Sequence, residues 1–385
     1  MPYIRQLHLP NKSFFLFGPR GTGKSTWLRD IFKPDLTIDL LRSDQFLELS
    51  ANPSSLREKL EALKPHSKVV IDEIQKLPIL LDEIHSYIFE SNHNLQFALT
   101  GSSARKLKKS NANLLAGRAI NKKMFSLNSH EIGADFNIDQ ILRFGTLPSV
   151  MNLKKENEKI EYLMTYVENY LKEEIQAEAA VRNLSSYHRF LKHAAIMNAQ
   201  VLNVNNISKE ASVARSTLDG YFNIIEETLL GSFVEAIHLK AKVKEVSTPK
   251  FYFFDCGVVR ALRNELGEKI TDTEKGYLLE TFILNEIQSY SSYHQKYAEV
   301  YYWGTPSQNE VDFIISKGPI NIGLEIKSSK KWKKEFNSGI SVLLESKKIK
   351  KAIAVYLGPD RLKSEQIDVY PLKEFLSELH SGNIF

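Results

Sequence analysis

The chain has 385 residues, 43% of them hydrophobic and 25% charged, with a formal net charge of +5. This describes a soluble globular protein too long for one ordinary core, so two to four domains are expected. No run of 18 apolar residues exists, the N-terminus lacks a basic-then-apolar signal, and Cys256 is the single cysteine, so a membrane span, export and a disulfide framework are not expected and a reducing cytoplasm is.

In chain order, Ser13 to Phe17 is a short apolar run that predicts a buried strand, and Ser25 to Phe32 predicts a helix. Between them, Gly18-Pro19-Arg20-Gly21-Thr22-Gly23-Lys24-Ser25, followed by Thr26, completes the G-x-x-x-x-G-K-S/T phosphate loop. Glycines let successive backbone N–H groups turn inward around the phosphates, Lys24 adds a positive charge at the β and γ phosphates, and Ser25 offers a hydroxyl to Mg²⁺. The expected ligand is a nucleoside triphosphate, on the positive end of the following helix.

Lys68 to Glu73 is an apolar strand ending in two carboxylates. Asp72 is expected in the Mg²⁺ shell and Glu73 is expected to orient or deprotonate the attacking water. A third strand, Gln96 to Thr100, leads into Gly101-Ser102-Ser103. Ser102 is the expected γ-phosphate sensor, Thr100 is the alternative, and ordinary turn chemistry remains open for both.

With the opening Arg5-Gln6-Leu7-His8-Leu9-Pro10 and the segment Asn113 to Arg118, these motifs resemble the prokaryotic AAA-type ATPases. The resemblance implies ATP and Mg²⁺ as ligands, a homo-oligomer, and an arginine offered to the neighbouring subunit's γ-phosphate. Arg118 is the candidate and Arg105 the second choice.

The ATPase core is expected over 1–130, followed by a helical lid or connector over 131–200 with a bend at Gly145-Thr146-Leu147-Pro148. Ile207 to Leu218 and then Tyr221 to Ile225 have helix-turn-helix spacing, which resembles a winged helix over 201–249. Arg215 there is outnumbered by Asp219, Glu226 and Glu227, which favours packing or protein contact over groove reading.

The region 250–385 carries a second group of charged residues. A turn centred between Gly318 and Pro319 sets Asp312 opposite Glu325 across an antiparallel hairpin, with Lys327 on the same face. Adjacent carboxylates repel unless a cation lies between them, so Mg²⁺ is expected there, with Glu280 on an upstream helix as a further ligand. The pattern resembles the restriction-endonuclease-like fold that the same AAA-type family carries at its C-terminus.

From Lys327 to Lys351 nine lysines stand against two glutamates, a basic stretch that either abuts this site and suits a nucleic-acid backbone or forms an ordinary solvated face, with Trp332 either stacking on a base or packing locally. The expected fold class is thus α/β, a parallel-sheet ATPase core joined to a nuclease-like domain. The expected function is Mg²⁺-dependent ATP hydrolysis coupled to DNA binding, cleavage or remodelling; the alternative is a nucleotide switch whose C-terminal domain holds a protein partner.

Overall fold

The computed structural model describes residues 3–91, 93–101, 118–170, 183–240, 243–307 and 309–385. Strands β1 (Ser13–Phe17), β2 (Leu36–Asp39), β3 (Lys68–Asp72), β4 (Gln96–Gly101) and β5 (Ala119–Lys123) form one parallel sheet in the order β2-β3-β4-β1-β5. Both faces of β1, β3 and β4 are covered, which is why they read as unbroken apolar runs rather than alternating ones. Phe15, Ile71 and Leu99 pack on one side with Leu80 and Ile84 of helix α2 (Leu80–Glu90). Phe14, Leu16 and Val70 pack on the other with Trp27 and Phe32. The helix expected from Ser25 to Phe32 is a short α-helix, α1 (Lys24–Trp27), running into a wider π-type turn over Leu28–Phe32.

Helices α3 (Ile138–Phe144) and α4 (Glu156–Thr165) follow, separated at the expected bend, where Gly145 has φ of 73°. Next come α5 (Leu184–Ile196), β6 (Gln200–Val201), α6 (Val204–Ala211), α7 (Arg215–Glu227), β7 (Gly231–Val234) and β8 (Lys250–Phe253). The three strands form an antiparallel sheet in the order β6-β8-β7. A boundary at 249/250 therefore cuts through this sheet: β8 belongs with the middle region. Helix α8 (Cys256–Arg263) then begins at Asp255, whose side chain accepts the Val258 and Thr146 N–H groups at 3.1 and 2.7 Å. Cys256 is buried beside it among the core residues, and burial pushes its thiol pKa well up.

The 22-residue helix α9 (Asp272–Tyr293) leads into a six-stranded sheet in the order β13-β14-β12-β11-β10-β9. Its strands are β9 (Glu299–Gly304), β10 (Glu310–Lys317), β11 (Ile320–Lys327), β12 (Lys351–Tyr356), β13 (Leu362–Ser364) and β14 (Ile367–Pro371). Phe313, Ile315, Leu324 and Ile326 face α9 and the last helix, α11 (Leu372–His380). Ile314, Ala352 and Ala354 face α10 (Ser338–Glu345) through Ile340 and Leu343. Phe313 pairs with Leu324 and Lys317 with Ile320, the hairpin register that the Gly318-Pro319 turn dictates.

Candidate functional site

In the phosphate loop, Gly21 and Gly23 adopt φ of 80° and 91°, a left-handed backbone that L side chains rarely take. Gly18 is required for a different reason: a Cβ there would strike the Met124 carbonyl, which follows the neighbouring strand β5. Thr22 Oγ1 closes the loop on the Pro19 carbonyl at 2.8 Å. Lys24 is buried, its ammonium donating to the Gly18 and Pro19 carbonyls at 2.7 and 3.1 Å, so the charge is already drawn to the mouth of the loop.

The parallel register aligns Ile71 with Leu99 and Leu16 with Thr100, which brings the ends of three strands together beside the loop. Asp72 Oδ2 accepts the Ser25 hydroxyl at 3.1 Å, and Asp72 Oδ1 accepts that of Thr100. Thr100 Oγ1 in turn accepts the backbone N–H of Glu73 at 3.3 Å. Glu73 stands at φ of 58°, a rare value for a residue with a Cβ, and its carboxylate accepts the Gln75 amide. Burial, the Lys24 charge acting against it, leaves the Glu73 pKa above its ordinary value. Among the described residues Thr100 supplies the hydroxyl at this strand end; Ser102 and Arg105 lie outside them. Arg118 bonds His85 and lies over the Phe89 ring at 5.9 Å, on the α2 face of the sheet. Arg20 presents its carbonyl to the Tyr166 hydroxyl at 3.0 Å.

Ser25 and Asp72 form an oxygen pair of the kind Mg²⁺ takes, and the donor set of loop N–H groups and Lys24 suits a triphosphate.

In the sequence Arg5 stands only within a family signature. Its guanidinium donates to Glu131 Oε1 (3.0 Å), the Thr22 carbonyl in the phosphate loop (2.8 Å), the Phe125 carbonyl (2.7 Å) and the Tyr293 hydroxyl of α9 (2.9 Å). Glu131 also closes a capping box with Asn128. The Asn128-x-x-Glu131 spacing is visible in the sequence; that Arg5 reaches it from 126 residues away is not.

In the C-terminal region Asp312 and Glu325 are both buried, and Asp312 Oδ2 accepts the Ile326 N–H at 2.7 Å. Lys327 pairs with Glu325 and stands 3.9 Å from Asp312, so the cation between the two carboxylates is the chain's own ammonium. Glu280 has partners of its own: it accepts the Tyr252 hydroxyl at 2.9 Å and the Lys250 ammonium at 3.4 Å. Among the described residues no three His, Cys, Asp or Glu side chains are grouped to hold a metal ion, so the expected Mg²⁺ site with Glu280, Asp312 and Glu325 is not assembled.

The lysine-rich stretch is also divided. Because β11 and β12 are parallel, with Ile322 beside Lys351 and Lys327 beside Tyr356, Lys347, Lys348, Lys350 and Lys351 lie at the other end of the sheet from Lys327, about 16 Å away along the strands. Lys330, Lys331, Lys333 and Lys334 follow β11 at the Lys327 end of the sheet, where the Ser329 carbonyl accepts the Leu357 N–H at 3.0 Å. Trp332 packs edge-on against Phe336 and Tyr356, with ring centroids 5.3 and 6.2 Å apart, which favours local packing over base stacking.

Residues 10–133 match the family described as AAA domain. This supports an AAA-type ATPase. Residues 135–269 and 275–375 match two domains of unknown function, DUF8612 and DUF4143. The uncharacterized protein MJ1544 of Methanocaldococcus jannaschii is 22% identical over 277 residues, which cover 64% of this chain and 61% of that protein. The chain thus spans about 61% of the length of that relative. Among solved structures, protein VC1899 from Vibrio cholerae aligns over 90% of this chain and 96% of its own at 11% identity and a TM-score of 0.19. No described helix is long and apolar enough to cross a membrane.

Proposed function

We propose that the N-terminal domain binds ATP with Mg²⁺ and hydrolyses it, and that nucleotide state is passed to the rest of the chain through the Arg5 junction. The observation that carries this is the continuous chain Ser25–Asp72–Thr100–Glu73 beside Lys24 at the ends of adjacent parallel strands. Lys24 and the loop N–H groups, with Arg20, Thr22 and Thr26 in the same turn, hold the phosphates. Ser25 and Asp72 hold the metal ion, which when bound neutralises phosphate charge. Thr100 fixes the Asp72 carboxylate and the Glu73 backbone, and Glu73 orients the attacking water and takes its proton. Arg118 stands off the phosphate loop of its own subunit, which supports action on a neighbour's nucleotide in a homo-oligomer.

For the second half of the chain, DNA cleavage and the holding of a partner are both open chemistries, and the pairing of Lys250 and Lys327 with the carboxylates favours the second. The fold order from α5 to β8 supports a winged-helix reading of the middle region.

Nucleotide binding by calorimetry and phosphate release, measured on the wild type, Lys24→Ala and Glu73→Gln, tests the ATPase reading. The expected result is loss of binding in the first variant, and in the second retained binding with turnover reduced about 10²–10⁴-fold. A Lys24→Ala protein that binds and hydrolyses ATP like the wild type overturns it.

A further inference from the structure

Where the three matched segments of the chain meet, they leave a cavity of about 430 Å³, a size that suits a small ligand. Its sides differ in chemistry. Asn285, Gln288 and Ser292 are three and four residues apart on α9, which puts them on one helix face, and all three line the cavity. Met124, Phe253, Phe254 and Leu284 supply apolar wall. Among the described residues no Asp, Glu or His lines it, and its charged residues are Lys122 and Lys123.

Asn285 marks the site. It is 7% exposed, on a helix whose neighbouring buried polar groups are used: Thr281 accepts the Asn198 amide at 2.7 Å, and Glu286 bonds the Ser129 hydroxyl at 2.8 Å and the His380 ring at 2.7 Å. The Asn285 Nδ2, by contrast, is buried with no hydrogen-bond partner. A buried amide left so weakens the fold, a cost that pairing with a ligand removes.

We propose that this cavity is a second ligand site and that it takes a mononucleotide. A purely apolar ligand would leave the amides of α9 unpaired, and a cationic one would find no carboxylate. An amide presents a donor and an acceptor side by side, which complements the edge of a nucleobase; phenyl rings offer a stacking surface, and a lysine suits phosphate. The site is separate from that of the triphosphate. Of the phosphate loop, Pro19 alone lines the cavity, and its carbonyl is already held by the Thr22 hydroxyl and the Lys24 ammonium. The inference goes beyond the ATPase reading and does not depend on whether the N-terminal site hydrolyses ATP.

Calorimetric titration of the full-length chain with AMP, GMP, CMP and UMP tests the assignment. All proteins carry Lys24→Ala to remove the cation of the phosphate loop, and Asn285→Leu and Gln288→Leu are each compared with that parent. The expected result is one-to-one binding of at least one of these nucleotides with a dissociation constant below about 1 mM, weakened at least about tenfold by either leucine substitution. Without nucleotide, Asn285→Leu should melt at or above the temperature of the parent, because an amide kept for a ligand adds nothing to the empty fold. Where Asn285→Leu instead lowers the melting temperature or does not fold, Gln288→Leu decides, since Gln288 is only half-buried. The assignment is overturned if none of the nucleotides binds, if the folded leucine variants bind like the parent, or if Asn285→Leu is destabilised and Gln288→Leu binds like the parent.

Discussion

Replacing Arg5 by methionine should loosen the junction between the phosphate loop, β5 and α9. The Arg5 side chain is 6% exposed and that of its ion-pair partner Glu131 is fully buried, so the variant strands a buried carboxylate as well as the Thr22 and Phe125 carbonyls. Removing one member of such a pair costs about 3–5 kcal/mol. Glu131 keeps two backbone donors, the Gln6 and Asn128 N–H groups at 2.8 and 3.2 Å, which places the expected loss near about 4 kcal/mol. Native-state hydrogen exchange reads it directly, because the Phe125 N–H donates to the Tyr293 hydroxyl that Arg5 also binds. Its protection should fall by about three orders of magnitude, at roughly 1.4 kcal/mol per factor of ten. Arg5→Met combined with Glu131→Gln should recover about 2 kcal/mol of that, because the stranded charge is gone. ATP affinity in Arg5→Met should weaken about tenfold, as the loop loses its hold on the Thr22 carbonyl. Exchange at Phe125 within threefold of wild type, or a double variant no more protected than Arg5→Met, refutes the reasoning.

Thr100→Val removes the hydroxyl that fixes both Asp72 and Glu73 while keeping the side-chain shape, so calorimetric ATP binding should change less than about threefold and phosphate release should drop about 10²-fold. Because burial raises the Glu73 pKa and the carboxylate form is needed as base, turnover should fall with acidification through a midpoint above 4.5, and the residual rate of Glu73→Gln should show no such midpoint. Asp255 is pushed up to about 6 by burial from an ordinary 3.8, so its contribution to stability is complete below 3.8 and is lost as pH rises through about 6. Urea midpoints should accordingly decline over that window by the equivalent of up to about 3 kcal/mol, a trend that Asp255→Asn should flatten. Gly18→Ala should displace the Met124 carbonyl and lower both the melting temperature and ATP affinity, whereas Gly267→Ala, where an added Cβ meets nothing within 4 Å, should leave ATP affinity unchanged.

What the sequence determined by itself was local. Strand β1, the glycine-framed loop and the acid-tipped strand β3 follow from short runs whose apolar pattern and special residues have few alternative structures. The hairpin register follows as surely, because a two-residue turn at Gly318-Pro319 leaves one pairing for the strands, Lys317 with Ile320 through Phe313 with Leu324. Tertiary structure alone decided which charges meet. Arg5 and Glu131 are 126 residues apart, and Lys250 reaches Glu310 across 60, distances over which composition and spacing carry no signal. The same reason divided the lysine-rich stretch: neighbours in sequence were sent to opposite ends of a sheet by the parallel pairing of β11 with β12. Electrostatic energy depends on separation in space, so the ion expected between two carboxylates was a question only the folded chain answered, with the ammonium of Lys327.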